Sequence, residues 1–311
     1  MKPRIVITGV AGFIGSNLAD RLIAEGYRVV GVDDLSYGVR SQVPDGVELH
    51  ELDIRDLCRV NVLRRGDVVF HLAAKNCISD CQHDPLAAAS TNVAGTVAVF
   101  EAARQAGAAK VIYAESSALY EGATRLPTPE DELHPHSFYA VSKAAARLFA
   151  DAYHRFHGMT FTALRYFCVY GPRQDYRRTI PPVISAFILR LMRGERPIIY
   201  GTGEKRRDFV HVDDVNDFHL RCITDPRTGN RTFNVGTGVS YSVNEIFDRI
   251  AAVLGSDLEP EHQPDLPGEA LETLADIAAA RELGWSPRIA LADGVVDLAR
   301  YYRDTRITWT V

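Results

Sequence analysis

Tyr139 and Lys143 stand four residues apart in "SFYAVSKAAARLF", a spacing that puts a phenol and an ammonium on one face of a helix. A free phenol has a pKa of about 10, so its phenolate is scarce at neutral pH. The nearby ammonium, joined by a second cation, would favour the phenolate, and a downward shift of roughly 3 units needs about 4 kcal/mol of differential interaction. Tyr139 would then serve as a base. Such pairs also arise as a packed ring beside a snorkelling lysine, so the chemical reading needs further groups. Ser116 and Ser117 supply them at the end of "KVIYAESS". A hydroxyl at the carboxyl end of a strand points toward the crevice where doubly wound sheets bind ligands. There it can hydrogen-bond a substrate hydroxyl that is becoming a carbonyl; a turn serine is the plainer alternative.

The second cation is suggested by "ITGVAGFIGSNLADRLIAEG", which places Gly9, Gly12 and Gly15 between a first strand and a first helix. Small residues at this turn let the N–H groups around Phe13, Ile14 and Gly15, at the positive helix end, approach a pyrophosphate. The next strand, "VVGVDDLS", carries Asp33 about 20 residues on, where a carboxylate accepts hydrogen bonds from an adenosine ribose and repels a 2′-phosphate. NAD is therefore expected rather than NADP, with Arg40 the one nearby basic residue arguing otherwise. Asp34 reads as a loop or capping residue. Asp53, with Ile54 beside it in "ELDIRD", either caps a turn or meets the adenine edge.

These groups need a scaffold with strands and helices in alternation. The chain offers "RIVITG", a helix from Phe13, "YRVVGVD", "VELHELD", "DVVFHLAA", a helix from Pro85, "KVIYAES", the helix bearing Tyr139, and "TFTALRYFCVYG". Such alternation predicts βαβ units and a parallel sheet covered on both faces. Beyond Gly171 the pattern loosens into helices at "PPVISAFILRLMRG", "VDDVNDFHLRCI" and residues 242–254, 276–283 and 291–302, with strands at "RPIIYG" and "TFNVG". With 311 residues, 46% hydrophobic and a formal charge of −5, the chain can bury a full core and shows no basic field for nucleic acid. Five cysteines without framework spacing and no signal-peptide core predict a reduced, cytoplasmic enzyme. No uninterrupted apolar run reaches the roughly 20 residues of a membrane span.

Taken in order, the glycine turn, Asp33, "HLAA", "SSALY", "YAVSK", "LRYFCVYGPR" and "RRDFVHVDDV" resemble the extended short-chain dehydrogenase/reductase family, and most of all its nucleotide-sugar 4-epimerases of the UDP-galactose 4-epimerase type. The resemblance runs from about residue 3 to residue 300. It implies an α/β fold: a Rossmann-type doubly wound parallel sheet holding NAD (1–170, with 208–236 returning to it) and a smaller mixed α/β domain holding a nucleotide diphosphate sugar (171–207 and 237–311). By the same resemblance Ser116, Tyr139 and Lys143 are catalytic. Ala73 and Ala74 line the cofactor cleft and Asn92 lies near the nicotinamide half. Ser116, Ser117, Tyr166 and Cys168 face substrate, Arg207 grips the diphosphate, and His71 is a satisfied cleft histidine. The implied reaction is epimerisation at C4 through a transient 4-keto sugar, by a cytoplasmic homodimer paired through the Tyr139 helix.

Three positions depart from the family's pattern. Cys168 replaces an amide, Leu266 stands where an arginine is usual, and Glu115 occupies the place of a small hydroxyl residue before Ser116. Arg173, Arg177, Arg178 and Arg206 are candidates to replace the missing arginine. A 4,6-dehydratase is the alternative; lacking the usual acid pair after Ser116, it would have to recruit Glu115, whose side chain should point away from Ser116. A 4-ketoreductase with the same triad and a non-catalytic NAD sensor are the others, although a sensor has no need of the triad. Cys77 and Cys81 are too few for a metal site and read as packing thiols.

Overall fold

Runs dense in Val and Ile form strands buried on both faces, as parallel sheets require. In β1 (Ile5–Thr8), β2 (Val29–Asp33) and β4 (Val68–His71) every residue is buried. With β3 (Glu48–Glu51), β5 (Lys110–Ser116), β6 (Phe161–Tyr166) and β10 (Arg231–Val235) they make a seven-stranded sheet in the order β10-β6-β5-β4-β1-β2-β3. Every neighbouring pair from β3 to β6 is parallel. The strand order reverses between β1 and β4, which is where open α/β sheets leave a crevice at the carboxyl ends of their strands. The structure, a computed structural model, describes residues 2–178, 180–265 and 270–305. Leu266 lies outside them.

The chain divides into two compact units. The first comprises Met1–Ala123, Glu130–Tyr166 and Asn216–Asn234, and the second Thr124–Pro129, Phe167–Val215 and Val235–Val311. In the first, α1 (Phe13–Ala24), α4 (Thr96–Ala106) and α5 (Phe138–His157) flank the sheet, and α7 (Val212–Thr224) enters this unit at Asn216. Two short helices, α2 (Ile78–His83) and α3 (Pro85–Ala89), precede α4, and a π turn at Ser90–Gly95 joins α3 to it. The continuous helical stretch Pro85–Ala106 is, contrary to the sequence reading, long and apolar enough to cross a bilayer. Here its Val99, Phe100, Ala102 and Ala103 are buried in the core, with the Phe100 ring 4.8 Å from Phe161 and 5.5 Å from Tyr113.

The buried positions of α5 are Tyr139, Ala140, Ser142, Lys143, Ala146 and Ala150, one face at helical spacing. Ser137 caps its start and Gly158, in the left-handed conformation, ends it.

In the second unit β9 (Arg206–His211) is central, pairing antiparallel with β11 (Ser240–Ser242) and parallel with β7 (Cys168–Tyr170) and β13 (Glu272–Thr273). A separate pair joins β8 (Ile198–Tyr200) to β12 (Glu261–Gln263). Helices α6 (Val183–Met192), α8 (Val243–Leu254) and α10 (Leu291–Asp304) contribute to one apolar core, and α9 (Ala278–Glu282) is short. "TFTALRYFCVYG" is thus two strands in two sheets, β6 and β7, broken at Phe167.

Side by side in the first sheet, β5 and β6 hold a buried ion pair. Arg165 Nε donates to Glu115 at 2.7 Å, both side chains at most 1% exposed. Arg165 also donates to the Tyr120 hydroxyl and to the carbonyls of Glu130 and Glu132, while Tyr113 donates to Glu115 at 3.2 Å. Removing one partner of such a pair strands a charge in the interior. Arg165→Met is expected to cost about 3–5 kcal/mol in urea unfolding, and adding Glu115→Leu should restore most of it; a single variant as stable as the parent would contradict the assignment.

Candidate functional site

Backbone crowding defines the turn after β1. Gly9 has φ +75°, and a Cβ there would lie 2.7 Å from the Ala73 nitrogen; one on Gly15 would lie 2.2 Å from the Gly9 carbonyl oxygen. Neither position admits a side chain. Gly12 caps α1 without a side-chain hydrogen bond, so the amides of Phe13, Ile14 and Gly15 meet no capping group. The missing side chains let the turn pack against Ala73 and α1 pack against the turn, the close approach that a dinucleotide-binding turn requires. Asp33, 7% exposed, accepts from the amides of Ala11 and Leu35, both at 2.9 Å, and so ties the end of β2 to this turn. Arg40 is ion-paired with Glu51 at the surface. Asp34 accepts from the Ser36 amide and hydroxyl as a loop cap. Asp53 caps the turn at Ile54–Arg59 and pairs with Arg55, while Ile54 is buried under Gly95.

Below the turn runs a chain of buried neutral groups. The Thr96 hydroxyl gives its proton to the Asn92 carbonyl at 2.6 Å and therefore accepts from His71 Nε2 at 2.8 Å. His71 Nδ1 must then accept the Thr8 hydroxyl proton at 2.8 Å, and the Thr8 oxygen accepts the Ala73 amide at 3.3 Å. Burial, followed by the Lys143 charge, pushes His71 down to about 3, so the ring is neutral and has both nitrogens occupied. Asn92 holds the Lys75 backbone at both N–H (2.8 Å) and C=O (2.9 Å), and donates to Ser142 at 2.9 Å. Ser142 in turn donates to the Tyr139 carbonyl at 2.7 Å.

Lys143 is 7% exposed and donates to the Ala114 carbonyl at 3.1 Å. Burial pushes its ammonium down to about 8, against the opposing pull of Glu115 and then Cys81. At pH 7 it remains mostly protonated. Tyr139, 8% exposed, packs with Cys81 and Ala88, and Ala118 lies against the same cluster. Lys143 therefore touches the chain two residues before Ser116, and the cluster that holds Tyr139 packs against Ala118, two residues after it. The Ser116 oxygen accepts the Ala118 amide at 3.2 Å and Ser117 opens the following 3-10 turn. The Tyr166 hydroxyl is committed to His219 Nε2 at 2.7 Å, inside the core, so its side chain is spent on packing. Ala74 lies half-buried after Ala73.

The second unit contains its own cavity of about 480 Å³, within the range of small-molecule sites. Cys168 and Arg207 line it, together with Arg190, Lys205 and Tyr200, which the sequence reading did not single out. Arg190 reads in sequence as an ordinary helix-surface charge. Of the arginines suggested as replacements, Arg206 is bound to Ser240, Glu245 and Glu272, and Arg177 to Asp175; neither lines the cavity, nor do Arg173 and Arg178. Among the described residues no group of three or more His, Cys, Asp or Glu is arranged to hold a metal ion.

The sequence pattern of the NAD dependent epimerase/dehydratase family matches residues 5–236. The chain is similar to the UDP-glucose 4-epimerase of Mycolicibacterium smegmatis, 38% identical over 311 residues that cover 97% of this chain and 99% of that protein. It is similar in structure to a UDP-glucose 4-epimerase of Thermotoga maritima solved with UDP-glucose, with TM-score 0.94, 36% identity and coverage of 98% of this chain and 100% of the other. A UDP-glucose 4-epimerase of Thermus thermophilus solved with NAD gives TM-score 0.89 and 30% identity, over 96% of this chain and 99% of the other.

The depressed Lys143 pKa makes a thermodynamic prediction. Below pH 8 both the native and the unfolded chain carry the proton, and the cost of burying the charge is fully present. Between about 8 and the free value near 10.4 the native state loses its proton first, the unfolded chain binds more protons, and stability rises with pH. Lys143→Met should therefore stabilise the fold at pH 7, by up to about 3 kcal/mol, and lose that advantage by pH 10.5 in urea unfolding. A difference that does not change with pH would contradict the burial argument.

Proposed function

The chain belongs to the NAD dependent epimerase/dehydratase family, and we propose that it inverts nucleotide diphosphate sugars at C4, with UDP-sugars as substrates and Ser116, Tyr139 and Lys143 as catalytic residues. One observation carries the assignment: a phenol and an ammonium buried on one face of α5, the ammonium bonded to the Ala114 carbonyl two residues before Ser116. The turn of Gly9, Gly12 and Gly15 fits a dinucleotide because its missing side chains let α1 pack close to the end of β1. Asp33 would take the ribose, with Asp53, Ile54, Ala73, Ala74 and Asn92 along the same cleft.

Bound NAD supplies the hydride acceptor and, on the return, the donor. Tyr139 removes the proton from the sugar's 4-hydroxyl and later gives it back. Ser116 donates a hydrogen bond to the same oxygen, stabilising it as a carbonyl. Lys143 holds a positive charge beside the phenol, favouring the phenolate and therefore the proton's departure. The second unit's cavity, with Arg190, Lys205 and Arg207, suits the nucleotide diphosphate. A dehydratase would need Glu115 as a proton carrier, but that carboxylate is consumed by Arg165 and Tyr113.

We also propose a homodimer, formed through the outer face of α5. Phe138, Val141, Leu148 and Phe156 recur there at helical spacing and are exposed, Phe156 at 75% and Leu148 at 69%. A contiguous apolar stripe of this kind suits a self-complementary contact. All five cysteines are free thiols, which supports a cytoplasmic location.

Offered UDP-, dTDP-, GDP- and CDP-sugars, the enzyme should convert a UDP-sugar to its C4 epimer by NMR without accumulating NADH; a 4-keto-6-deoxy product would replace this reading with a dehydratase. Tyr139→Phe is expected to lower kcat by at least about 100-fold while bound NAD is retained, the usual scale for a lost acid–base group. Full activity in that variant would remove Tyr139 as the base. Leu148→Glu with Phe156→Glu should convert a dimer to a monomer in light scattering, and an unchanged mass would reject the α5 interface.

A further inference from the structure

The stretch carrying Ser116 and the stretch leading into Tyr139 are stitched together by one half-buried carboxylate. Glu121 follows the turn Ser117–Tyr120 and its own amide donates to the Ala118 carbonyl at 3.2 Å. One of its carboxylate oxygens accepts the amides of His136 (2.9 Å) and Ser137 (2.7 Å), and the other accepts the Ser137 hydroxyl at 2.7 Å. Because that hydroxyl proton goes to Glu121, the Ser137 oxygen is left with its lone pairs for the Ala140 amide, which it accepts at 3.1 Å as the helix cap. Gln82 accepts the Phe138 amide at 2.9 Å. The amides of His136, Ser137, Phe138 and Ala140 thus each have a partner, and Tyr139 sits among them.

The two stretches are also joined by backbone. His134 N–H donates to Leu119 O at 2.8 Å and Gly122 N–H to His134 O at 3.2 Å. They approach so closely that a Cβ on Gly122 would lie 2.5 Å from the His136 ring. Ser116 is held by β5 and Tyr139 by α5, and Glu121 adds a second cross-link to the one that Lys143 makes with the Ala114 carbonyl. A carboxylate at the positive end of α5 is, in addition, electrostatically favourable.

We propose that Glu121 is a positioning residue of the C4 chemistry, resting on the reading above, that holds the Tyr139 phenol in register with Ser116. Its acceptor sites are spent on three local donors, so it moves no proton itself. Its effect belongs on kcat rather than on substrate or cofactor binding, because misplacing a reacting group by about 1 Å costs about 100-fold.

The test is the full-length enzyme with its bound NAD, compared with Glu121→Ala and Glu121→Gln. In Glu121→Ala, kcat should fall roughly 10- to 100-fold while KM for the UDP-sugar stays within about twofold of the parent. Bound NAD per chain should be unchanged, and hydrogen exchange at the Ala140 and Val141 amides should accelerate. Glu121→Gln keeps a carbonyl oxygen for the two amide donors and should recover kcat to within about fivefold. Parental kcat in Glu121→Ala, or unaltered exchange at Ala140, overturns the proposal alone. So does loss of bound NAD in both variants, which would mark Glu121 as a part of the fold only. A parent that does not epimerise at C4 overturns the underlying reading, and the proposal with it.

Discussion

A lysine ammonium taken out of water is the constraint around which the first unit's chemistry is arranged. Burial pushes Lys143 down to about 8, and an ammonium held there must be answered by oriented groups or it deprotonates. The Ala114 carbonyl answers it directly and Glu115 answers it through its field. Glu115 cannot do so alone, because an unpaired carboxylate in the interior is equally costly. Arg165 balances it, and is itself satisfied by Tyr120 and by carbonyls of the segment that follows Glu130. The buried charges therefore alternate in sign from β6 through β5 to α5. The ion pair in the core is thus part of what keeps a cation beside Tyr139.

A second set of polar groups near Lys143, running from Thr8 through His71 to Asn92, is neutral. His71 is close enough for the lysine charge to depress it further, and a protonated ring there would place a second cation in the interior. The chain Ala73–Thr8–His71–Thr96–Asn92 fixes the ring as the Nε2–H tautomer by assigning each hydroxyl proton in turn. Asn92 carries the same restraint to Ser142 and the Tyr139 carbonyl. A satisfied network of this kind links the glycine turn to α5 without adding charge, so the turn and the helix bearing Tyr139 share one frame.

What could be read from sequence was local. Tyr139 and Lys143 share a face because a helix repeats every 3.6 residues, and Gly9, Gly12 and Gly15 mark a βα turn by their absence of side chains. The parallel sheet followed from the alternation of strand and helix patterns. What escaped depends on partners distant in the chain. Glu115 looked like an anomaly beside Ser116 until Arg165, 50 residues on, was seen to neutralise it. Tyr166 looked like a crevice residue, but its hydroxyl is taken by His219, 53 residues away. Arg206, suggested as a replacement for the missing arginine, is instead tied to Ser240, Glu245 and Glu272, which lie 34 to 66 residues further along the chain. Glu121 had no local signal at all, since its meaning lies in the amides it caps.

A 4-epimerase has an unusual demand on binding energy. The sugar must present both of its faces in turn, so strong contacts to the ring would stabilise one orientation and slow the other transfer. Binding energy is better placed on parts of the substrate that do not react. The second unit's cavity is built accordingly, with Ile184, Phe187 and Phe209 among its walls and Arg190, Lys205 and Arg207 as its cations. Lys205 is paired with Asp265 at 2.5 Å, which tempers its pull. Rigidity is then needed where the sugar's own oxygen reacts, at Ser116 and Tyr139. The buried charges, the neutral network and Glu121 all restrain that small region, as the proposed chemistry would require.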